Sequence, residues 1–527
     1  MALINPKAQK DWLKKKRDNW DWLKTEAKRD VRLTVKGLRP RPDFGHVKLY
    51  LHQMVCFLLM VYLKRFMLFL DMGGGKTLLT LMMIKYLKDT GKKPKAIVFV
   101  PYVITVETWI EETEKHAPSL KCVPLINSSK QNLDDLCNAE GDLFVICYQS
   151  AVAMLCERKE SKKKNKKVDW VLEGPKVTKL FKKAGFNFLA MDEIHKCKNQ
   201  QSITYRMCRA ISKQVTWAYG LTGTPHGRNP EDLWAQFYLI DFGETLSATL
   251  GFFRSVFFSE QDGFWGGVKY KFKKSMLPTL HEIIKHRSIR YRIDECHDMP
   301  ERTFIVKKVK PPEGVIGYYN KIVEALGDLS FGKTKYREVE SKYMKLRQLA
   351  SGFMTLKGDD SSKVEVEFPT NPKLDAIEEI LDSMPDDSKM IIFHDFRHSN
   401  KLISNHLTKL KVPHARVWGG GKNNIKEIRR FKKDPKCRVL VINIQSGSSS
   451  QNLQVANYVV YYEQPRSSLD RDQSERRAWR PGQTKRVFFI DLLMEGTVDE
   501  DMKRMNDEGM DLMRSVVDGK LKVGKLI

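Results

Sequence analysis

The segment Leu70-Asp71-Met72-Gly73-Gly74-Gly75-Lys76-Thr77 sets three consecutive glycines ahead of a Lys-Thr pair. An apolar run, Phe66–Leu70, precedes it and a helical pattern, Leu78–Leu87, follows. A backbone without Cβ atoms can curl its N–H groups around phosphate oxygens, and the start of the next helix adds favourable partial charge. In such a loop Lys76 reaches the β- and γ-phosphates and the Thr77 hydroxyl ligates Mg²⁺. The strict pattern GxxxxGK[ST] is not met, because position 70 is Leu. A Gly-rich turn that happens to precede Lys-Thr is the alternative. A second element, Asp192-Glu193-Ile194-His195, follows the apolar run Phe188–Met191. A carboxylate at the end of a strand can hold Mg²⁺, here Asp192, and Glu193 beside it is placed to polarise an attacking water as general base. Taken alone, an acidic pair there is also a common turn or helix cap. Thr222-Gly223-Thr224-Pro225, after another strand-like run, is either a plain turn or an element that follows the phosphate state. In Gln473-Ser474-Glu475-Arg476-Arg477-Ala478-Trp479-Arg480-Pro481-Gly482-Gln483, Arg477 and Arg480 are three apart, so a helix would put both on one face. Two guanidinium groups so placed can stabilise charge on a transferring γ-phosphoryl group; a solvated basic helix has the same spacing.

The elements that must position these residues follow an α/β rhythm. Between about 46 and 240, the strand-like runs Phe66–Leu70, Ala96–Val100, Leu143–Cys147, Phe188–Met191 and Trp217–Leu221 alternate with amphipathic helices, which predicts a parallel sheet. Between about 366 and 510 the rhythm resumes, with strands at Met390–Phe393, Val439–Ile442, Tyr458–Tyr462 and Arg486–Asp491. The stretch 241–365 breaks it: it is aromatic and basic, with helical patterns at Tyr318–Leu326 and Tyr343–Phe353, and is set apart as an insertion and linker. Residues 1–45 form a basic, helix-prone extension carrying Trp12, Trp20 and Trp22, and 511–527 the end of a last helix that begins near Val498. Two segments suit contact with nucleic acid: the Lys-rich run Glu157–Lys167, otherwise a solvated loop, and Phe264–Phe272, otherwise a packed hairpin.

Composition narrows the partner. Ninety-two Lys and Arg against 64 Asp and Glu leave a net charge of +28, which favours a polyanion, nucleic acid before membrane. The most apolar stretch, Val55–Leu70, is interrupted by Lys64 and Arg65 and is too short to span a bilayer; it predicts a buried helix followed by a buried strand. The nine Cys form no CxxC pair and no Cys/His ligand cluster, and Met1–Trp22 has no apolar core of a secretory signal. The expected location is the cytoplasm of a bacterium or of a virus-infected host cell, or the nucleus if the source is eukaryotic.

The motifs together resemble the Swi/Snf family of ATPases in helicase superfamily two, from about Leu49 to Val517 and in the family's order. Lys48-Leu49-Tyr50-Leu51-His52-Gln53 resembles the adenine-reading Gln motif, with Gln53 the reader. Asp71–Thr77 is similar to motif I, Ile97–Pro101 through Trp109–Glu112 to motif Ia, and Asp192–Asn199 to a DEAH-type motif II. Leu221–Pro225 is similar to motif III; Leu346-Arg347-Gln348 and Lys389–Phe393 resemble the run into the second lobe, and Gln473–Gln483 motif VI. Departures stand at Ser446–Leu453, where the family is Gly-rich, and at His226-Gly227-Arg228, where it commonly has Leu-Gln-Asn. The resemblance implies two tandem RecA-like lobes with ATP and Mg²⁺ between them. It implies that Gln53, Gly73, Gly74, Gly75, Lys76, Thr77 and Gln473 bind nucleotide, that Thr77 and Asp192 serve the metal, and that Glu193, Lys76, Arg477 and Arg480 are catalytic. It also implies a motor on DNA, duplex favoured and gripped mostly through phosphates. With no histone-reading module in view, a compact motor of bacterial or viral type is expected. Two other readings stay open: a strand-separating or annealing enzyme on forks or RNA, and a non-catalytic nucleic-acid clamp. A small-molecule kinase using the phosphate loop alone would leave the charge and Gln473–Gln483 without a purpose.

Overall fold

A computed structural model describes residues 38, 41–160, 168–223, 230–262, 268–296, 299–327, 336–357, 363–419, 421, 423–444 and 452–508. The chain divides into two units, Met1–Cys296 and His297–Ile527. The division falls inside the stretch that the sequence sets apart as 241–365, and each half of that stretch supplies a strand to a sheet.

The first unit is built on seven parallel strands: β1 (Arg65–Leu70), β2 (Ala96–Val100), β3 (Cys122–Pro124), β4 (Leu143–Cys147), β5 (Phe188–Asp192), β6 (Trp217–Leu221) and β7 (Ser288–Tyr291). They lie in the order β7-β1-β6-β5-β2-β4-β3. A parallel sheet is covered on both faces, so its strands are continuously apolar. In β1 the side chains of Met67 and Phe69 enter one core and those of Phe66, Leu68 and Leu70 the other; Ile97 and Phe99 of β2 part from Val98 and Val100 in the same way. The five strands expected in this half are all present. The two others, β3 and β7, are short edge strands, and β7 comes from residues expected to be an insertion. Helix α1 (Leu51–Leu63) runs into β1 through one residue, Lys64, whose φ of 58° turns the chain. Helix α2 (Lys76–Asp89) follows the glycine loop, α3 (Val103–His116) follows β2, and α4 (Ile293–Cys296) ends the unit.

The second unit holds six parallel strands: β8 (Arg302–Val309), β9 (Met390–His394), β10 (His414–Val417), β11 (Val439–Asn443), β12 (Tyr458–Tyr461) and β13 (Val487–Met494). Their order is β8-β13-β12-β9-β11-β10. Helices α5 (Glu313–Gly327), α6 (Tyr336–Ala350), α7 (Ser468–Ala478) and α8 (Val498–Asp507) belong to this unit. Val315, Tyr319, Leu346, Leu349, Val498 and Met502 make a separate helical core. Buried ion pairs fix this unit, among them Arg347 with Asp395 at 2.8 Å, Lys373 with Asp499 at 2.5 Å, and Arg471 with Asp491. The expected nucleic-acid segments fall partly outside the described residues, at 161–167 and 263–267, as do Trp12, Trp20 and Trp22. Among the described residues no helix is long and apolar enough to cross a membrane.

One buried histidine makes the second unit sensitive to acid. His394 ends β9 with no exposed surface; its Nδ1 meets the Phe396 carbonyl at 3.0 Å and its Nε2 meets the Asn400 amide nitrogen at 2.8 Å. The carbonyl requires a proton on Nδ1 and the Asn400 amino group requires a bare Nε2, so the ring is neutral. Burial, with Arg416 nearby, pushes its pKa from 6.5 down to about 4. The folded state therefore resists a proton that the unfolded chain accepts. Stability is full above pH 6.5 and is expected to fall by about 3 kcal/mol on the way to pH 4 through this one group. Thermal midpoints across that range should decline less steeply in His394→Gln than in the parent; parallel slopes would show that other groups set the acid limit.

Candidate active site

In a parallel sheet, loops at the carboxyl ends of adjacent strands open onto one crevice. Strands β1, β6 and β5 are neighbours, and at their carboxyl ends stand the glycine loop, Thr222, and Asp192 with Glu193. The strand order thus gathers motifs that are over 140 residues apart in the chain.

The loop's shape explains its glycines. Gly73 and Gly75 have φ of 85° and 92°, where a side chain is strained. A Cβ on Gly75 would lie 2.4 Å from Gln53 Nε2. Gly74 N donates to the Asp71 carbonyl at 3.0 Å, which closes the turn, and Gly75 caps α2, so Lys76 and Thr77 are its first two residues. Lys76 Nζ donates to the Leu70 carbonyl at 2.9 Å, across the base of the loop. Gln53 is buried beneath the loop: its Oε1 accepts from Tyr50 N at 3.1 Å and its Nε2 lies 3.4 Å from the Gly74 carbonyl. The expected base reader and phosphate loop are therefore joined directly.

The acidic pair is held by four partners. Asp192 Oδ1 accepts from Glu193 N at 3.1 Å, and Oδ2 faces the indole N–H of Trp109, on α3, at 3.4 Å. Tyr148 Oη donates to the Asp192 carbonyl at 3.0 Å. Glu193 adopts φ 50°, in the left-handed region. Its Oε2 accepts from the Thr222 hydroxyl at 2.8 Å and lies 3.1 Å from His195 Nδ1. Electrostatics divide the pair. Burial, then the neighbouring Glu193, push the Asp192 carboxyl above the usual range. Burial acts on Glu193 in the same direction, but His195, Lys76 and Thr222 outweigh it and hold Glu193 low. A divalent cation beside Asp192 would supply the positive charge that this buried carboxylate lacks. The glycine cradle, Lys76, Thr77 and Asp192 together fit a Mg²⁺-bound nucleoside triphosphate.

Gln473, Arg477 and Arg480 lie in the second unit. Gln473 and Arg477 are buried on α7. The helix ends at Ala478 and Trp479 is its extended cap, so Arg480 stands in the following turn. The two arginines therefore do not share a helical face, in contrast to the expectation from their spacing. Pro481 is the physical reason: it has no N–H to give the Arg477 carbonyl and it disfavours a helical Arg480, so the chain leaves the helix. The extended Trp479 is then held by its indole N–H, which donates to the Pro300 carbonyl at 2.8 Å, and by Arg302, 3.9 Å from the ring. Thr224, Pro225, His226–Arg228 and Ser446–Gln451 lie outside the described residues. Trp109, Thr222 and His195 were legible as parts of motifs and Tyr148 was not; the bonds of Trp109 and Tyr148 to Asp192 and of Thr222 to Glu193 were not legible, since they join elements far apart in the chain.

Residues 50–359 match the family model of the SNF2-related domain, and residues 372–482 that of the helicase conserved C-terminal domain. The chain is 22% identical over 509 residues to the human SWI/SNF-related matrix-associated actin-dependent regulator of chromatin subfamily A containing DEAD/H box 1, covering 84% of this chain and 46% of that protein. It is 23% identical over 528 residues to the ATP-dependent helicase FUN30 of Saccharomyces cerevisiae, covering 82% of this chain and 43% of that one. The chain thus spans less than half the length of these curated relatives. A solved structure, the Sulfolobus solfataricus SWI2/SNF2 ATPase core in complex with dsDNA, is similar at 21% identity and a TM-score of 0.38, covering 91% of this chain and 94% of that one.

Proposed function

The chain belongs to the SNF2-related family, and on that premise we propose that it is a DNA-dependent ATPase that moves along duplex DNA and displaces or remodels what is bound there. The observation that carries this reading is the meeting of Gly73–Thr77, Asp192–Glu193 and Thr222 at three adjacent strand ends. Gln53, the glycine loop and Lys76 bind ATP; Thr77 and Asp192 hold Mg²⁺, which when bound offsets charge on the phosphates. Glu193 takes a proton from the attacking water, with Thr222 and His195 orienting its carboxylate. Gln473, Arg477 and Arg480 act on the phosphates from the second unit. A net charge of +28 supplies the affinity for DNA, mostly through phosphates, as a motor that serves every sequence requires.

The test is steady-state hydrolysis with no nucleic acid, single-stranded DNA, duplex DNA and RNA. Duplex DNA is expected to raise turnover about tenfold or more, with binding that weakens steeply as salt rises. Stimulation chiefly by single strands or RNA would replace this reading with a strand-separating enzyme. No hydrolysis under any condition would leave only a nucleic-acid clamp.

A further inference from the structure

We propose that Asp71 is a positioning residue that clasps the phosphate loop to the last segment of the first unit, so that nucleotide at the loop alters the chain leading into the second unit. Asp71 is the first residue after β1 and is 3% exposed. Its backbone N–H lies 3.4 Å from the Tyr291 carbonyl, and its Oδ2 accepts from Ile293 N at 3.1 Å. One residue thus grips a segment 222 positions away through both its main chain and its side chain. That segment is the exit from the unit: Tyr291 ends β7, paired with Leu70, and Ile293 opens α4, which stops at Cys296, where the unit ends.

The clasp belongs to a closed ring. The Asp71 carbonyl accepts from Gly74 N, and Gln53 on α1 reaches the Gly74 carbonyl. His52, beside Gln53, meets the ring of Tyr291 edge-on with centroids 5.6 Å apart. The base-side helix, the loop and the exit segment therefore touch one another in turn. A buried carboxylate is costly unless its bonds are kept, so a rearrangement of residues 71–74 around phosphate either carries Ile293 along or breaks its bond. Either response makes the state of the exit segment depend on nucleotide, and the chain runs on from that segment into the second unit, which is the link that coupling would use.

The proposal rests on the ATPase reading above, and its test separates the two. Ile293→Pro removes the donated N–H while suiting the first position of a helix; Ile293→Ala keeps the N–H and removes the side chain. Asp71→Ala removes the acceptor and Asp71→Asn retains one. Two readouts are needed: the ratio of duplex-stimulated to basal hydrolysis, and hydrogen exchange in residues 288–296 with and without a non-hydrolysable ATP analogue. In the parent, the analogue is expected to slow exchange in that segment. Ile293→Pro and Asp71→Ala should lose this response, and their stimulation ratio should fall about fivefold or more below that of Ile293→Ala, within the usual range of coupling between sites. Asp71→Asn should keep most of both. Exchange indifferent to the analogue in the parent, or equal ratios in Ile293→Pro and Ile293→Ala, would overturn the clasp. A parent that hydrolyses ATP without responding to DNA would sink the motor reading instead, and the exchange data alone would then decide the clasp.

Discussion

Glu193→Gln is expected to lower ATP turnover by about 10²-fold or more while nucleotide still binds, since a positioned general base typically contributes 10²–10⁴-fold. The amide is nearly the shape of the carboxylate and keeps an oxygen for the Thr222 hydroxyl, which lies 2.8 Å from Oε2. What it loses is the ability to accept a proton from water. The surroundings fit that role: His195, Lys76 and Thr222 keep Glu193 ionised despite its burial. Asp192, by contrast, is pushed towards protonation until a cation compensates it. The two neighbouring carboxylates are thus held in different states, as the proposed roles of base and metal partner require. Phosphate release measured beside fluorescent-nucleotide binding checks this. Turnover within about threefold of the parent would remove Glu193 from the role of base, because a general base is worth far more than that. Loss of nucleotide binding in the same variant would mean that it supports the site's shape.

The sequence made the middle of each sheet legible and its edges much less so. Buried parallel strands such as Ala96–Val100 and Leu143–Cys147 are apolar at every position, a signal short enough to read without partners. The edge strand Arg302–Val309 is largely exposed and mixes Arg and Lys with Phe, Ile and Val, so no single period marks it. Ser288–Tyr291 is four residues long and becomes a strand only because β1 lies alongside. The site divides in the same way. Gly73–Thr77 and Asp192–Glu193 announce themselves because their chemistry is local to a few residues. The Trp109–Asp192, Thr222–Glu193 and Asp71–Ile293 bonds depend on which strands are neighbours, and periodicity carries no information about that. The end of α7 is a third case: the spacing of Arg477 and Arg480 reads as helical, whereas Pro481, a stop signal present in the sequence, ends the helix before Arg480.

That helix end separates the two arginines in a way their spacing conceals, and it sets apart the effects of replacing them. Arg477 is 1% exposed and its main-chain carbonyl accepts from Leu453 N at 3.1 Å, so its side chain and backbone both build the second unit. Arg480 lies in the turn that follows, where Gln483 N donates to its carbonyl at 3.0 Å, and its side chain is only partly covered. Arg480→Ala is therefore expected to lower turnover by about 10²-fold or more, towards the 10³–10⁵ that an arginine acting on the transferring phosphoryl supplies, with nucleotide affinity and thermal midpoint close to the parent. Arg477→Ala should lower turnover as far and also cost about 2–4 kcal/mol of stability, because it leaves the groups around a buried guanidinium without their partner. Arg477→Lys should recover part of the stability and little of the turnover, since a point charge does not reproduce a planar fork of donors. Turnover, nucleotide affinity and thermal midpoint measured on the three variants resolve the roles. Parent-like turnover in Arg480→Ala would make Arg480 a surface residue of its turn and leave Arg477 alone to act on the phosphate. A fall in turnover that only tracks the fall in midpoint would make Arg477 a structural residue, and the charge on the transferring group would then have to be met from elsewhere in the chain.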